Sequence, residues 1–123
     1  MISNRILVAD DDEDLRAMVA EALAEKGLRV TQAADGIEAM QALRSTPSIS
    51  ILLTDIRMPR MDGYSLAEAA VTANPELKII MMTGFADERL PECVLGAREV
   101  RILFKPIELD ELCDRVCDMA SRA

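Results

Sequence analysis

Short apolar runs alternate along this chain with longer stretches whose apolar residues recur at helical spacing. Ile6-Leu7-Val8-Ala9 is a compact apolar run that stops at acid. The next stretch, 12–25, carries Leu15, Met18, Val19, Ala22 and Leu23 on one predicted helical face. Asp12 is placed to cap it and Gly27 to stop it. Residues 28–31 predict an edge-like strand. Residues 36–44 predict a helix with Ile37, Met40 and Leu43 inward, and Pro47 falls in the loop beyond. A third apolar run, 49–54, ends at Asp55. Residues 57–63 (RMPRMDG) have turn chemistry. A helix over 64–73 follows, closed by Asn74-Pro75. A strand over 77–82 then ends at Thr83-Gly84. The pattern over 86–95 predicts a weaker helix interrupted by Pro91. A strand over 100–104 ends at Lys105-Pro106. The last helix, 108–120, turns Leu109, Leu112, Val116 and Met119 or Ala120 inward.

Strictly alternating strands and helices predict an α/β fold: a doubly wound, five-stranded parallel sheet covered on both faces. Right-handed crossovers restrict its topology. In the flavodoxin-like order 2-1-3-4-5, strands 1 and 3 are neighbours at the switch point, where ligands meet the carboxyl ends of the strands. The 123 residues suit one compact domain, 1–123, with no linker, repeat or output domain expected.

Composition narrows the function classes. Half of the residues are apolar, enough for a core, yet there are only two Phe, one Tyr and no Trp. The core must be built from Leu, Ile, Val, Met and Ala. The formal charge of −8 argues against nucleic-acid binding, which needs a basic face. No stretch approaches the roughly 20 apolar residues that span a bilayer. The N-terminus runs straight into a strand without room for a signal peptide. The expected location is cytoplasmic, with no membrane partner. Cys93, Cys113 and Cys117 are an odd set, expected to be reduced thiols. Cys113 and Cys117 lie four apart on one helix face and predict small core residues. The chain has no His to complete a zinc set.

The chemistry sits where apolar runs stop. Asp10 and Asp11 follow strand 1, Asp55 follows strand 3, Thr83 follows strand 4 and Lys105 follows strand 5. In a parallel sheet these ends converge on one edge. Three carboxylates together resist ionisation, and a divalent cation with a preference for hard oxygen ligands, Mg2+, resolves the conflict. Asp55 then stays ionised as a nucleophile. Lys105 is placed to pair with a carboxylate or a phosphoryl oxygen, and Thr83 to donate its hydroxyl. This is equipment for phosphoryl transfer to a carboxylate. Taken singly, each piece has a plainer reading. The acidic run 10–14 suits a helix start, Asp55 and Thr83-Gly84 suit turns, and Lys105-Pro106 says little. Their joint placement at four strand ends carries the signal.

From about Arg5 to Met119 the chain resembles the receiver domain of a two-component response regulator. The residues that carry the resemblance are Ile6-Leu7-Val8-Ala9-Asp10-Asp11, Leu53-Thr54-Asp55-Ile56-Arg57-Met58-Pro59, Met61-Asp62-Gly63, Met82-Thr83-Gly84 and Phe104-Lys105-Pro106. It implies that Asp55 accepts a phosphoryl group from a histidine kinase or phosphotransfer protein in a phosphorelay. It implies that Asp11, Asp55 and the backbone carbonyl of Arg57 ligate magnesium, with Asp10 acting mainly through water. Thr83 and Lys105 would contact the phosphoryl group, and the Lys105-Pro106 bond would be cis. The output surface, for a partner the sequence does not name, would combine the 86–95 helix, strand 5 and the last helix. The stretches 52–56 and 83–86 are similar to single-domain regulators of the CpdR type, which act in regulated proteolysis, and to receivers of hybrid kinases. The family often places Tyr or Phe three residues before the lysine, as a rotamer switch coupled to the threonine. Here Ile102 stands there, and with Pro91 it predicts order–disorder change in place of rotamer exchange.

The leading expectation is a phosphorylation-controlled interaction module, not an enzyme apart from catalysing its own phosphorylation and dephosphorylation. One alternative is a magnesium-dependent phosphatase working through an aspartyl phosphate. Such enzymes place a second Asp two residues after the nucleophile, where this chain has Arg57, which is no proton donor at neutral pH. Another is a pseudo-receiver that binds partners without phosphorylation, against which all five site positions are filled. A flavodoxin-type mononucleotide binder lacks its Gly-rich loop after strand 1.

Overall fold

The computed structural model describes residues 4–58, 60–84, 99–106 and 108–121. Five parallel strands, β1 (Arg5–Ala9), β2 (Arg29–Ala33), β3 (Ile51–Asp55), β4 (Lys78–Thr83) and β5 (Glu99–Phe104), form one sheet in the order β2-β1-β3-β4-β5. Four helices are described: α1 (Glu13–Glu25), α2 (Gly36–Ser45), α3 (Gly63–Ala73) and α4 (Leu109–Ser121). The helix expected over 86–95, with Pro91 and Cys93, lies outside the described residues.

The sheet is apolar on both faces, and alternation sorts its side chains between two cores. Leu7 and Ala9 of β1, Leu52 of β3, and Ile79 and Met81 of β4 pack with Ala39, Met40, Leu66, Ala67 and Ala70 from α2 and α3. Ile6 and Val8, Ile51 and Leu53, and Ile80 and Met82 face Val19, Leu23, Leu112 and Val116 from α1 and α4. Each fully buried Leu or Ile contributes about 1.5–3 kcal/mol relative to exposure. Two expected inward residues differ. Met18 is 53% exposed, because Val19, Ala20 and Leu23 take the buried stripe of α1. Ile37 is half-buried and, unlike the equally half-buried Leu15, Leu43 and Leu109, belongs to neither core among the described residues; Ala39 and Met40 take the buried positions of α2.

Side-chain caps start the first three helices. Asp12 accepts from the amide of Leu15, Asp35 from that of Glu38 and Asp62 from that of Ser65. At the end of α1, Gly27 turns left-handed at φ +90°. Its amide meets the Ala24 carbonyl at 3.0 Å, and the Leu28 amide meets that of Leu23 at 3.3 Å. Leu23 and Leu28 then pack in the same core, the hydrophobic contact that accompanies this type of helix stop. At the start of β4, Lys78 is buried, and its ammonium donates to the Met119 carbonyl at 2.6 Å, near the C-terminal end of α4.

Cys113 and Cys117 are free thiols, Cys113 buried, as the small-core-residue reading expects. Burial first, then Cys117 nearby, pushes the Cys113 thiol upward, away from thiolate chemistry. No helix among the described residues is long and apolar enough to cross a membrane.

A Cβ at Gly27 would touch nothing within 4 Å, so only backbone strain opposes substitution there. Gly27→Ala is expected to lower stability by about 1 kcal/mol, the ordinary cost of a left-handed non-glycine residue. Urea unfolding of both proteins measures it as a lower midpoint with unchanged slope.

Candidate functional site

Register brings the strand tips together. Ala9 of β1 pairs with Thr54 of β3, so Asp10 and Asp55 occupy the next rung. Asp10 continues the row of Ile6 and Val8, Asp55 that of Ile51 and Leu53, and Lys105 that of Leu103. All three therefore start toward the α1/α4 side. Thr83 continues the opposite row, that of Ile79 and Met81, and is fully buried at the tip of β4. Its carbonyl accepts from the Lys105 amide at 2.7 Å, which fixes the tip of β5 to that of β4.

Four of the five expected side chains, those of Asp10, Asp11, Asp55 and Lys105, come together at this edge. Carboxylate oxygens of Asp10, Asp11 and Asp55 all lie within 4.8 Å of one another. Asp10 is fully buried, Asp55 is nearly so and Asp11 is exposed. The Lys105 ammonium sits 3.0 Å from Oδ2 of Asp55. The Arg57 amide approaches Asp55 Oδ1 at 3.4 Å, and Arg57 borders the same cleft as Asp11. Lys105-Pro106 is cis. Ile102 pairs with Met81 and packs, half-buried, against the α2/α3 core. Of the expected output surface, β5 and α4 are described.

Asp10 carries the tension of the site. Its Oδ1 accepts from the Asp12 amide at 2.9 Å. Its Oδ2 is buried with no hydrogen-bond partner among the described residues. Burial raises its pKa above the ordinary 3.8. The Asp12 hydrogen bond works against that rise, while the charges of Asp55 and Asp11 add to it. At Lys105 burial acts against the charge. The Asp55 hydrogen bond and the charges of Asp55, Asp10 and Asp11 outweigh it and hold the ammonium protonated. A buried anionic oxygen without a donor, beside two more carboxylates, is the oxygen-rich environment a magnesium ion requires. Asp10, Asp11 and Asp55 fit such an ion.

The loop from β3 to α3 backs the acceptor. The Gly63 amide returns to the Ile56 carbonyl at 2.7 Å. A Cβ at Gly63 would run into the Asp55 carbonyl oxygen and come within 2.8 Å of the Ile56 Cα, so only glycine allows this approach. A Cβ at Gly36 would stand 2.6 Å from that of Met61. Next to it, Arg60, at φ +69°, pairs with Asp35 at 3.2 Å. The loop is thus tied to the start of α2. The sequence marks Asp62-Gly63 as a turn, but the crowding at Gly63 and the Asp35–Arg60 pair have no local signature. Phe104 was likewise unmarked beyond its place before the lysine. It is the register partner of Thr83 and is 52% exposed.

A raised Asp10 pKa has a definite sign. The folded, metal-free protein holds this proton more tightly than the unfolded chain. The resulting destabilisation is absent below the ordinary value of 3.8 and grows as pH rises through the raised pKa. Asp10→Asn keeps the acceptor for the Asp12 amide and replaces the orphaned oxygen with a donor. In chelator at pH 7 the variant is expected to be more stable than the parent by about 1–3 kcal/mol. Thermal melts across pH should show the difference shrinking as the pH falls toward 3.8.

Residues 6–117 match the family model described as the response regulator receiver domain. The response regulator receiver protein CpdR of Brucella abortus is 41% identical over 91% of this chain and 92% of its own length. The DNA-binding transcriptional regulator NtrC of Escherichia coli K12 is 37% identical over 86% of this chain, which spans only 22% of that larger protein. Among solved structures, the receiver domain of the hybrid histidine kinase CckA superposes with a TM-score of 0.80 at 29% identity, covering 95% of this chain and 99% of that one. With the acidic cluster and the lysine at the same sheet edge, these matches establish that the chain belongs to the response regulator receiver domain family of two-component systems.

Proposed function

We propose that this receiver domain accepts a phosphoryl group on Asp55 and uses the modification to control a protein–protein interaction. The observation that carries the reading is the 3.0 Å contact between Lys105 and Asp55, at a site where Asp10, Asp11 and Asp55 share one oxygen-rich pocket.

The chemistry follows from the chain's own groups. A carboxylate oxygen of Asp55 attacks phosphorus and forms an O–P bond. The P–N bond of a donor phosphohistidine breaks, its electron pair stays on the imidazole nitrogen, and that nitrogen takes a proton from water. Lys105 already stands against Asp55, so oxygens of a newly attached phosphoryl group fall within reach of its ammonium. Thr83 is the hydroxyl at the neighbouring strand tip, and Ile102 lies two register pairs below it, level with Met81 on the same face. A magnesium ion held by Asp10, Asp11 and Asp55, with the Arg57 carbonyl as a further ligand, would offset the carboxylate charge and steady the phosphoryl oxygens. The Gly63 turn holds the Asp55 backbone while the side chain reacts.

The donor is a histidine kinase or a phosphotransfer protein. The similarity to the receiver of CckA, a hybrid histidine kinase, supports that class. The output partner docks on the side of β5 and α4. The domain turns over no external metabolite; its catalysis is confined to its own phosphorylation and hydrolysis. Arg57, two residues beyond the acceptor, leaves a phosphatase without its proton donor there.

Acetyl phosphate or phosphoramidate with magnesium is expected to add one phosphoryl group to the wild type and none to Asp55→Asn, read by intact-mass spectrometry. A wild type that stays unmodified rules out the acceptor role. With small phosphate esters, release of many phosphates per protein would favour the phosphatase reading; release of no more than the bound equivalent supports the signalling module.

A further inference from the structure

Arg16 lies in the first turn of α1, and nothing in the chemistry above uses it. Side chains of a helix lean toward its N-terminus, so a long residue in the first turn reaches back over the preceding loop. Arg16 does this. Its Nη1 donates to the backbone carbonyl of Asp10 at 2.8 Å, and its Nε donates to the Gln32 side-chain oxygen, on β2, at 3.2 Å. Arg16 as a whole is half-buried. The Asp10 amide is already tied to β2, through the Ala33 carbonyl at 3.1 Å. Both ends of the Asp10 backbone are therefore fixed to the same side of the sheet.

The Asp10 carbonyl belongs to the peptide that joins Asp10 to Asp11. The orientation of that planar unit sets the direction in which Asp11 leaves the backbone. Asp11 is the exposed member of the acidic cluster and gains least from packing. We propose that Arg16 is a positioning residue: by clamping the Asp10–Asp11 peptide against β2, it aims the Asp11 carboxylate into the cation site. The inference rests on the magnesium reading of that site.

Two effects of removing Arg16 have opposite signs. A guanidinium near three carboxylates opposes a second cation, so its loss through charge alone tightens magnesium binding. Loss of the clamp loosens the loop and weakens binding, and removing a group that orients a metal ligand typically costs about tenfold or more in affinity. The sign of the change separates them.

The test is calorimetric titration of magnesium chloride into the full chain as wild type, Arg16→Met and Arg16→Lys, with thermal melts in chelator alongside. Arg16→Met is expected to bind magnesium roughly tenfold more weakly, and Arg16→Lys, which keeps a donor, to fall between it and the wild type. Phosphorylation of Arg16→Met by acetyl phosphate should approach the wild-type rate at saturating magnesium. Unchanged or tighter binding by Arg16→Met overturns the proposal, as does a lower melting temperature with magnesium affinity intact, which marks a purely structural arginine. A wild type that binds no magnesium removes the site reading itself, a result distinct from either.

Discussion

Like charges gathered out of water are the constraint on which this molecule is organised. Asp10 is wholly buried, with one oxygen lacking a partner among the described residues and two further carboxylates close by. No folding requirement calls for that arrangement, since an apolar residue at this position would pack without electrostatic cost. The strain is tolerable because the rest of the domain is well buried. The two cores, one on each face of the sheet, contain fully covered Leu, Ile and Val side chains. The cluster is a reservoir of unfavourable charge that a cation can discharge, and this makes the site responsive to what binds there.

Backbone geometry does most of the placing. The register of β1 against β3, and of β4 against β5, decides which tips adjoin. The loop amides then refine the picture. Asp12 reaches Asp10, Arg57 reaches Asp55, and the Gly63 amide closes on Ile56. Main-chain donors cost no side-chain entropy to hold in position. The side chains that set the charge balance within the cluster are Lys105 and the carboxylates themselves.

Much of this was legible in the sequence, for reasons that particular residues make plain. Apolar runs buried on both faces read as parallel strands whatever their rotation, and their ends fell at Asp10, Asp55, Thr83 and Lys105. Element boundaries shifted by a residue or two where caps decided them, as at Gly63, which opens α3 because Asp62 caps it. Periodicity alone turns Met18 inward because it does not tell how wide the buried stripe is; Val19, Ala20 and Leu23 fill it, and Met18 falls outside. The clamp of Arg16 and the pairing of Asp35 with Arg60 join residues distant in sequence or set by a left-handed backbone. Local pattern contains neither kind of information.

Burial on both faces of the sheet also bears on how such a chain can change over evolutionary time. In a one-sided sheet, inserting a residue in a strand throws apolar groups into water, and folding itself rejects the change. In β3, moving Leu52 to the side of Leu53, and the reverse, would leave both cores supplied with similar side chains. The same slip would carry Asp55 to the opposite face, away from Asp10 and Lys105. Insertions and deletions within the central strands are thus policed by selection on signalling more than by selection on foldability, and a folded but silent relative is the expected debris of that drift.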